Sequence, residues 1–131
     1  MLLGVDPGTR KCGYAVIERP GAPPAALGIV PLGEFEAQLS ALRARFPIDM
    51  VAIGHGTNAG VVSNVVREAG LAFALVDERE TTLRARARFF DDHPPRGWRR
   101  LIPRGMLLPD RPIDDYAALL IAERFLQSTA S

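Results

Sequence analysis

The chain holds one cysteine, one lysine, one tryptophan and two histidines in 131 residues. A single cysteine, Cys12, rules out an intrachain disulfide and suits a reducing compartment. One cysteine and two histidines cannot assemble a structural zinc site of the usual nitrogen and sulfur ligands. No serine–histidine or cysteine–histidine spacing suggests a hydrolytic nucleophile. No apolar run approaches the roughly 20 residues that span a bilayer. The first residues form a strand-like run instead of a basic leader with a long apolar stretch. A cytoplasmic protein without a signal peptide or membrane contact is therefore expected. GVDPG lacks the Gly-Lys-Ser/Thr ending of a phosphate-binding Walker loop.

What is present is one domain's worth of apolar sequence. With 47% hydrophobic residues, residues 1–131 fit a single domain able to bury its own core. Strand-like runs occur at Leu2–Val5, Cys12–Ile17, Ala26–Leu32, Met50–Gly54 and Leu71–Val76, the last two expected as buried strands. Short Pro/Gly links join the first three, which predicts an antiparallel meander, and Pro31 implies that the third lies at an edge or ends there. Glu34 to Phe46 is helical, with Phe35, Leu39, Leu42 and Phe46 on one face. A second helix carries Val61, Val62, Val65, Val66 and Ala69, with Thr57 or Asn58 as its cap and Gly70 as its stop. A third runs from Thr81 or Thr82 to about Phe90. A proline- and arginine-rich loop, His93 to Pro112, then leads to a last helix from Asp114 to about Gln127. Trp98 reads either as an anchor for that loop or as a surface for stacking an unpaired base. The order is βββαβαβα, an α/β domain with a mixed five-stranded sheet.

The net charge of +1 conceals an asymmetry. Residues 79–111 hold nine arginines against Glu80, Asp91, Asp92 and Asp110, whereas the remainder holds seven basic and eleven acidic residues. A basic concentration beside scattered acids suits a polyanion such as nucleic acid. Arg84 and Arg88 fall at helical spacing with Arg79, and Arg99 and Arg100 flank Trp98. Arg10 and Lys11 form the basic tip of the first hairpin.

Three acids fall where sites form in such sheets. Asp6 ends the first strand, Glu78 follows the fifth, and Asp114 opens the last helix, with Asp115 the alternate one position on. Carboxylates gathered at one edge repel unless a divalent cation lies among them. Magnesium takes a few carboxylate oxygens together with waters and a phosphate oxygen. As separate residues, Asp6 also reads as a turn former, Asp114 as an N-cap and Glu78 as a partner of a nearby arginine.

At these residues a resemblance becomes specific. LGVDPGTRKCGYAV resembles the opening motif of YqgF and RuvC nucleases, of the RNase H-like superfamily. VDERETT and PIDDYAALLIAERFL resemble the YqgF acid-Glu-Arg signature and final helix, so the likeness covers essentially the whole chain. It implies a Mg2+- or Mn2+-dependent endonuclease acting on branched DNA or structured RNA. Resolution of Holliday junctions or processing of precursor 16S ribosomal RNA would be its role, and a homodimer would suit paired cuts. It also implies Asp6, Glu78 and Asp114 as the catalytic metal ligands, with Arg79, Thr81 and Thr82 beside them near phosphate. Two departures stand out. RuvC carries an acid at the end of its fourth strand where this chain reads Gly54-His55-Gly56-Thr57, and the YqgF-type Gly-Leu-Pro turn is also missing there. His55 is then an alternate catalytic residue, able to orient a water or a leaving group, or a plain turn residue. The rival reading is a catalytically inactive RNase H-like module that binds nucleic acid. A sugar-kinase-like ATPase would need a much longer chain.

Overall fold

A computed structural model describes residues 1–77, 81–102, 108, 109 and 111–129, without the side chains of 81–83 and 129. Its elements are β1 (Leu2–Pro7), β2 (Lys11–Ile17), β3 (Ala26–Pro31), α1 (Phe35–Arg45), β4 (Met50–Gly54), α2 (Ala59–Glu68), β5 (Ala72–Val76), α3 (Thr81–Asp92) and α4 (Asp114–Thr129). Short 3-10 turns at Leu32–Glu34 and Gly97–Leu101 fill two of the links.

The five strands form one sheet in the order β3-β2-β1-β4-β5. β1, β2 and β3 pair antiparallel, while β4 and β5 run parallel to β1. The short Pro/Gly links can close only hairpins, whereas α1 and α2 supply the crossovers that parallel pairing requires. β1 is central, which is why Leu2, Leu3 and Val5 are all buried.

Alternation along the strands divides the core into two layers. Leu3, Val5, Cys12, Val16, Val51 and Ile53 face Phe35, Leu39 and Leu42 of α1 and Val62 and Val66 of α2. Leu2, Ala15, Ile17 and Ala52 face Phe89 and Phe90 of α3 and Leu119, Ile121 and Ala122 of α4. The α4 backbone lies almost on the sheet. A Cβ on Gly4 would stand 2.3 Å from the Ala118 carbonyl oxygen, and one on Gly13 would stand 1.9 Å from that of Asp114.

Several local expectations change. β5 is an edge strand with Ala72 exposed and Leu75 47% exposed, because no further strand pairs with its outer side. Val61 lies off the buried stripe of α2, 48% exposed, since only Val62 and Val66 face the sheet squarely. Asn58 occupies the N-cap position of α2 without capping it. Its amide instead donates to the carbonyls of Gly8 (2.7 Å) and Thr9 (3.3 Å). Trp98 is no anchor, being 71% exposed; Ile102 packs against the core in its place.

Candidate nuclease site

β1, β4 and β5 all end at the same edge of the sheet, and α4 begins there. Asp6 pairs with Gly13 across the β1–β2 ladder. By alternation it lies on the side of Leu2 and Gly4, which is the side that α4 covers. The missing side chain at Gly13 lets the backbone of Asp114 settle directly onto β2, opposite Asp6. Carboxylates in the first turn of α4 are favoured there by the helix dipole.

Asp114 and Asp115 have different environments. Asp115 is buried and its needs are met: Arg111 Nη1 and Nη2 lie 3.3 and 3.4 Å from its oxygens, and the Tyr116 N–H donates at 2.9 Å. Asp114 has a buried Oδ2 that accepts no hydrogen bond. Lys11 Nζ lies 3.3 Å from that oxygen, an ion-pair contact without hydrogen-bonding alignment. Lys11 thus pairs with the Asp114 carboxylate and is not simply a hairpin tip. A buried carboxylate oxygen lacking a donor is costly, and a hard cation satisfies it well.

Cys12 lies beneath this pair. Burial pushes its thiol up to about 11, and the nearby charges of Asp6 and Asp114 push in the same direction.

The turn after β4 closes the neighbouring side. The His55 N–H donates to the Val76 carbonyl at 3.1 Å, tying the end of β4 to the end of β5. A Cβ on Gly56 would meet the Pro7 carbonyl oxygen at 2.4 Å, so this turn packs against the end of β1. The His55 side chain is exposed at the same edge. Gly54 pairs with Val76 and leaves no carboxylate on β4 beside Asp6. Asp77 directly follows β5. Glu78 and Arg79 lie outside the described residues, as do the side chains of Thr81 and Thr82. Among the described residues, no group of three His, Cys, Asp or Glu side chains is gathered closely enough to hold a metal ion.

The basic residues divide in two. Arg10 at the hairpin tip, Arg84 on α3 and Arg100 after it are exposed. Arg99 donates to the Leu108 carbonyl. Arg88 departs from the expected outward stripe. It forms a two-pronged pair with Glu123 of α4 at 2.9 and 3.3 Å, which raises its pKa further. Glu123 is buried and also accepts the Gly21 N–H at 2.7 Å. Arg88 therefore joins α3, α4 and the β2–β3 link. Sequence reading passed over Glu123 because nothing in its helical position marks it apart from a solvated acid. Arg111 was one arginine among many in the loop, although its i,i+4 spacing to Asp115 was a usable signal.

Neither a protein-family model nor a curated protein sequence matches the chain. Solved structures do. The sheet order, the two helical layers and α4 lying across β1 and β2 make a mixed α/β fold shared with RuvC structures. Thermus thermophilus RuvC in complex with a Holliday junction substrate matches with a TM-score of 0.63 and 20% identity, covering 99% of this chain and 96% of that one. A second Thermus thermophilus RuvC structure matches with a TM-score of 0.56 and 19% identity, covering 93% and 90%.

Proposed function

We propose that the chain is a divalent-metal-dependent endonuclease that hydrolyses phosphodiester bonds in branched nucleic acid, four-way DNA junctions first and precursor 16S ribosomal RNA second. The observation that carries this reading is the seat of the Asp114 backbone on Gly13, the β2 residue paired with Asp6, with the Asp114 Oδ2 buried and accepting no hydrogen bond. The likeness to RuvC, one structure of which holds a Holliday junction, favours DNA junctions over RNA.

Asp6 and Asp114 would hold Mg2+ or Mn2+, with Glu78 as the third ligand. The bound ion would polarise the scissile phosphate and acidify the attacking water. Asp6 fixes one carboxylate through the β1 backbone, and Asp114 fixes the other through its seat on Gly13. Lys11 tempers the repulsion between them and is positioned to meet a phosphate oxygen. His55, exposed at the same edge, is placed to orient a water or leaving group. Arg10, Arg84 and Arg100, with Arg79, Thr81 and Thr82, would contact the nucleic-acid backbone. Paired cuts in a four-way junction call for a two-fold dimer. The lone buried Cys12 suits the cytoplasm.

The test is cleavage of end-labelled four-way junction and stem-loop RNA in Mg2+ and in Mn2+, comparing wild type with Asp6→Asn. The expected result is junction cleavage by wild type, reduced roughly 100-fold or more in Asp6→Asn with junction binding kept. That loss corresponds to about 3 kcal/mol of transition-state stabilisation. Junction binding without cleavage by wild type in either metal favours the inactive binding module.

A further inference from the structure

Beside the acidic edge is a cavity of about 430 Å³ whose lining includes Phe89, Asp92, His93, Arg96, Arg99 and Arg111, a size typical of small-ligand pockets. Its chemistry has two halves. One is a flat, ring-lined wall: His93 stacks on Phe89 with centroids 4.6 Å apart and planes 19° from parallel. The His93 Nδ1 is 3.2 Å from the Phe89 carbonyl, which leaves Nε2 for another partner. The other half is cationic. Asp92 accepts from the Tyr116 hydroxyl at 2.8 Å, and Arg111 is committed to Asp115 while lying over the Phe89 ring. Among the described residues, neither Arg96 nor Arg99 forms an ion pair, and Arg96 is exposed at the rim.

We infer that this cavity receives one unpaired nucleotide of the nucleic-acid substrate, its base against the His93 ring and its phosphate on Arg96 and Arg99. The inference rests on the nuclease reading and deepens it, for the Arg111–Asp115 pair joins the cavity wall to the helix that begins with Asp114. A strand crossing the carboxylates reaches the cavity next. Base-on-ring stacking tolerates any sequence, and a phosphate between guanidinium groups beside that ring favours a nucleotide over either part alone. The pocket thus selects branch points with a base free to leave the stack.

The test measures binding without divalent metal, so its outcome is separate from that of the cleavage assay. Thymidine monophosphate and inorganic phosphate are titrated by calorimetry, and a four-way junction with one unpaired thymidine at the branch is compared with a fully paired one. Wild type, Arg96→Ala and His93→Ala are used, with melting temperatures confirming that each is folded. The expected result is at least about tenfold tighter binding of the nucleotide than of phosphate, in keeping with stacking on a ring. Arg96→Ala weakens both ligands, and His93→Ala weakens the nucleotide alone. The unpaired thymidine strengthens junction binding about tenfold in wild type, and Arg96→Ala removes that gain. Equal binding of nucleotide and phosphate, or no binding of either, overturns the inference. Nucleotide binding with no preference for the unpaired junction overturns it as well, because the ligand would then be a free mononucleotide. Junction cleavage accompanied by any of these results would leave the nuclease reading standing and sink only the pocket.

Discussion

Asp114 and Asp115 are neighbours in the chain and strangers in the fold. Successive residues of a helix point about 100° apart, so one meets β2 and Lys11 while the other meets Arg111. Asp114→Asn should abolish cleavage with little change in melting temperature, since its ion pair with Lys11 is partly exposed and contributes little to stability. Asp115→Asn should lower stability by roughly 1–2 kcal/mol, a range discounted for the partly exposed Arg111, and keep most of the cleavage. Thermal melts beside the cleavage assay separate the two. The reverse pattern would assign the site to Asp115. PIDDYAALL narrows the acid to two adjacent positions and no further. The choice depends on how far α4 has turned when it meets Gly13, and no single segment encodes that phase. Cys12 offers a second test at this scale. A thiol ordinarily loses its proton near pH 9.0, and here that is delayed to about 11. The unfolded chain therefore releases the proton first. Stability associated with Cys12 is complete below about pH 9, declines as pH rises from 9 to 11, and is then lost. Urea melts across that range should show a shallower alkaline decline in Cys12→Ala than in wild type.

Among the elements, the seating of α4 matters most. Gly4 and Gly13 permit a helix backbone to rest on a strand backbone, which brings the start of α4 beside the end of β1. Gly13→Ala places a carbon where the Asp114 carbonyl group now lies. The expected cost is about 3 kcal/mol or more, read as a lower denaturation midpoint, with metal affinity falling too because Asp114 is displaced from Asp6. An unchanged midpoint would mean that α4 does not rest on β2 as described. Arg88→Met should cost about 2–3 kcal/mol by leaving the buried Glu123 carboxylate without its cation, while nucleic-acid affinity changes little. A large loss of affinity with stability intact would return Arg88 to the binding surface. The order of elements was legible because short Pro/Gly links demand hairpins and the helical apolar repeats are regular. Two things were not. The exposure of β5 depends on which strands end up as neighbours, and the role of Asn58 depends on a hairpin fifty residues earlier in the chain.

At the scale of the whole molecule, charge and topology support one another. Parallel β1, β4 and β5 bring three strand ends to a single edge. Much of the basic excess of residues 79–111 falls, in sequence, within α3 and after it, and Arg111 pairs with Asp115 in the first turn of α4. Arg111 thus stands beside the acids that open α4, an arrangement in keeping with the proposed nucleic-acid substrate. The asymmetry could be counted from the residues alone; its place in the fold could not, since that follows from α3 and α4 sharing one face of the sheet. The most direct measurement is anomalous diffraction from crystals soaked in manganese, recorded for wild type and Asp6→Asn. The expected result is a peak within coordination distance of the Asp6 and Asp114 carboxylates, lost or much weakened in Asp6→Asn. Carboxylates too far apart to share an ion, or manganese bound elsewhere with this edge empty, would contradict it.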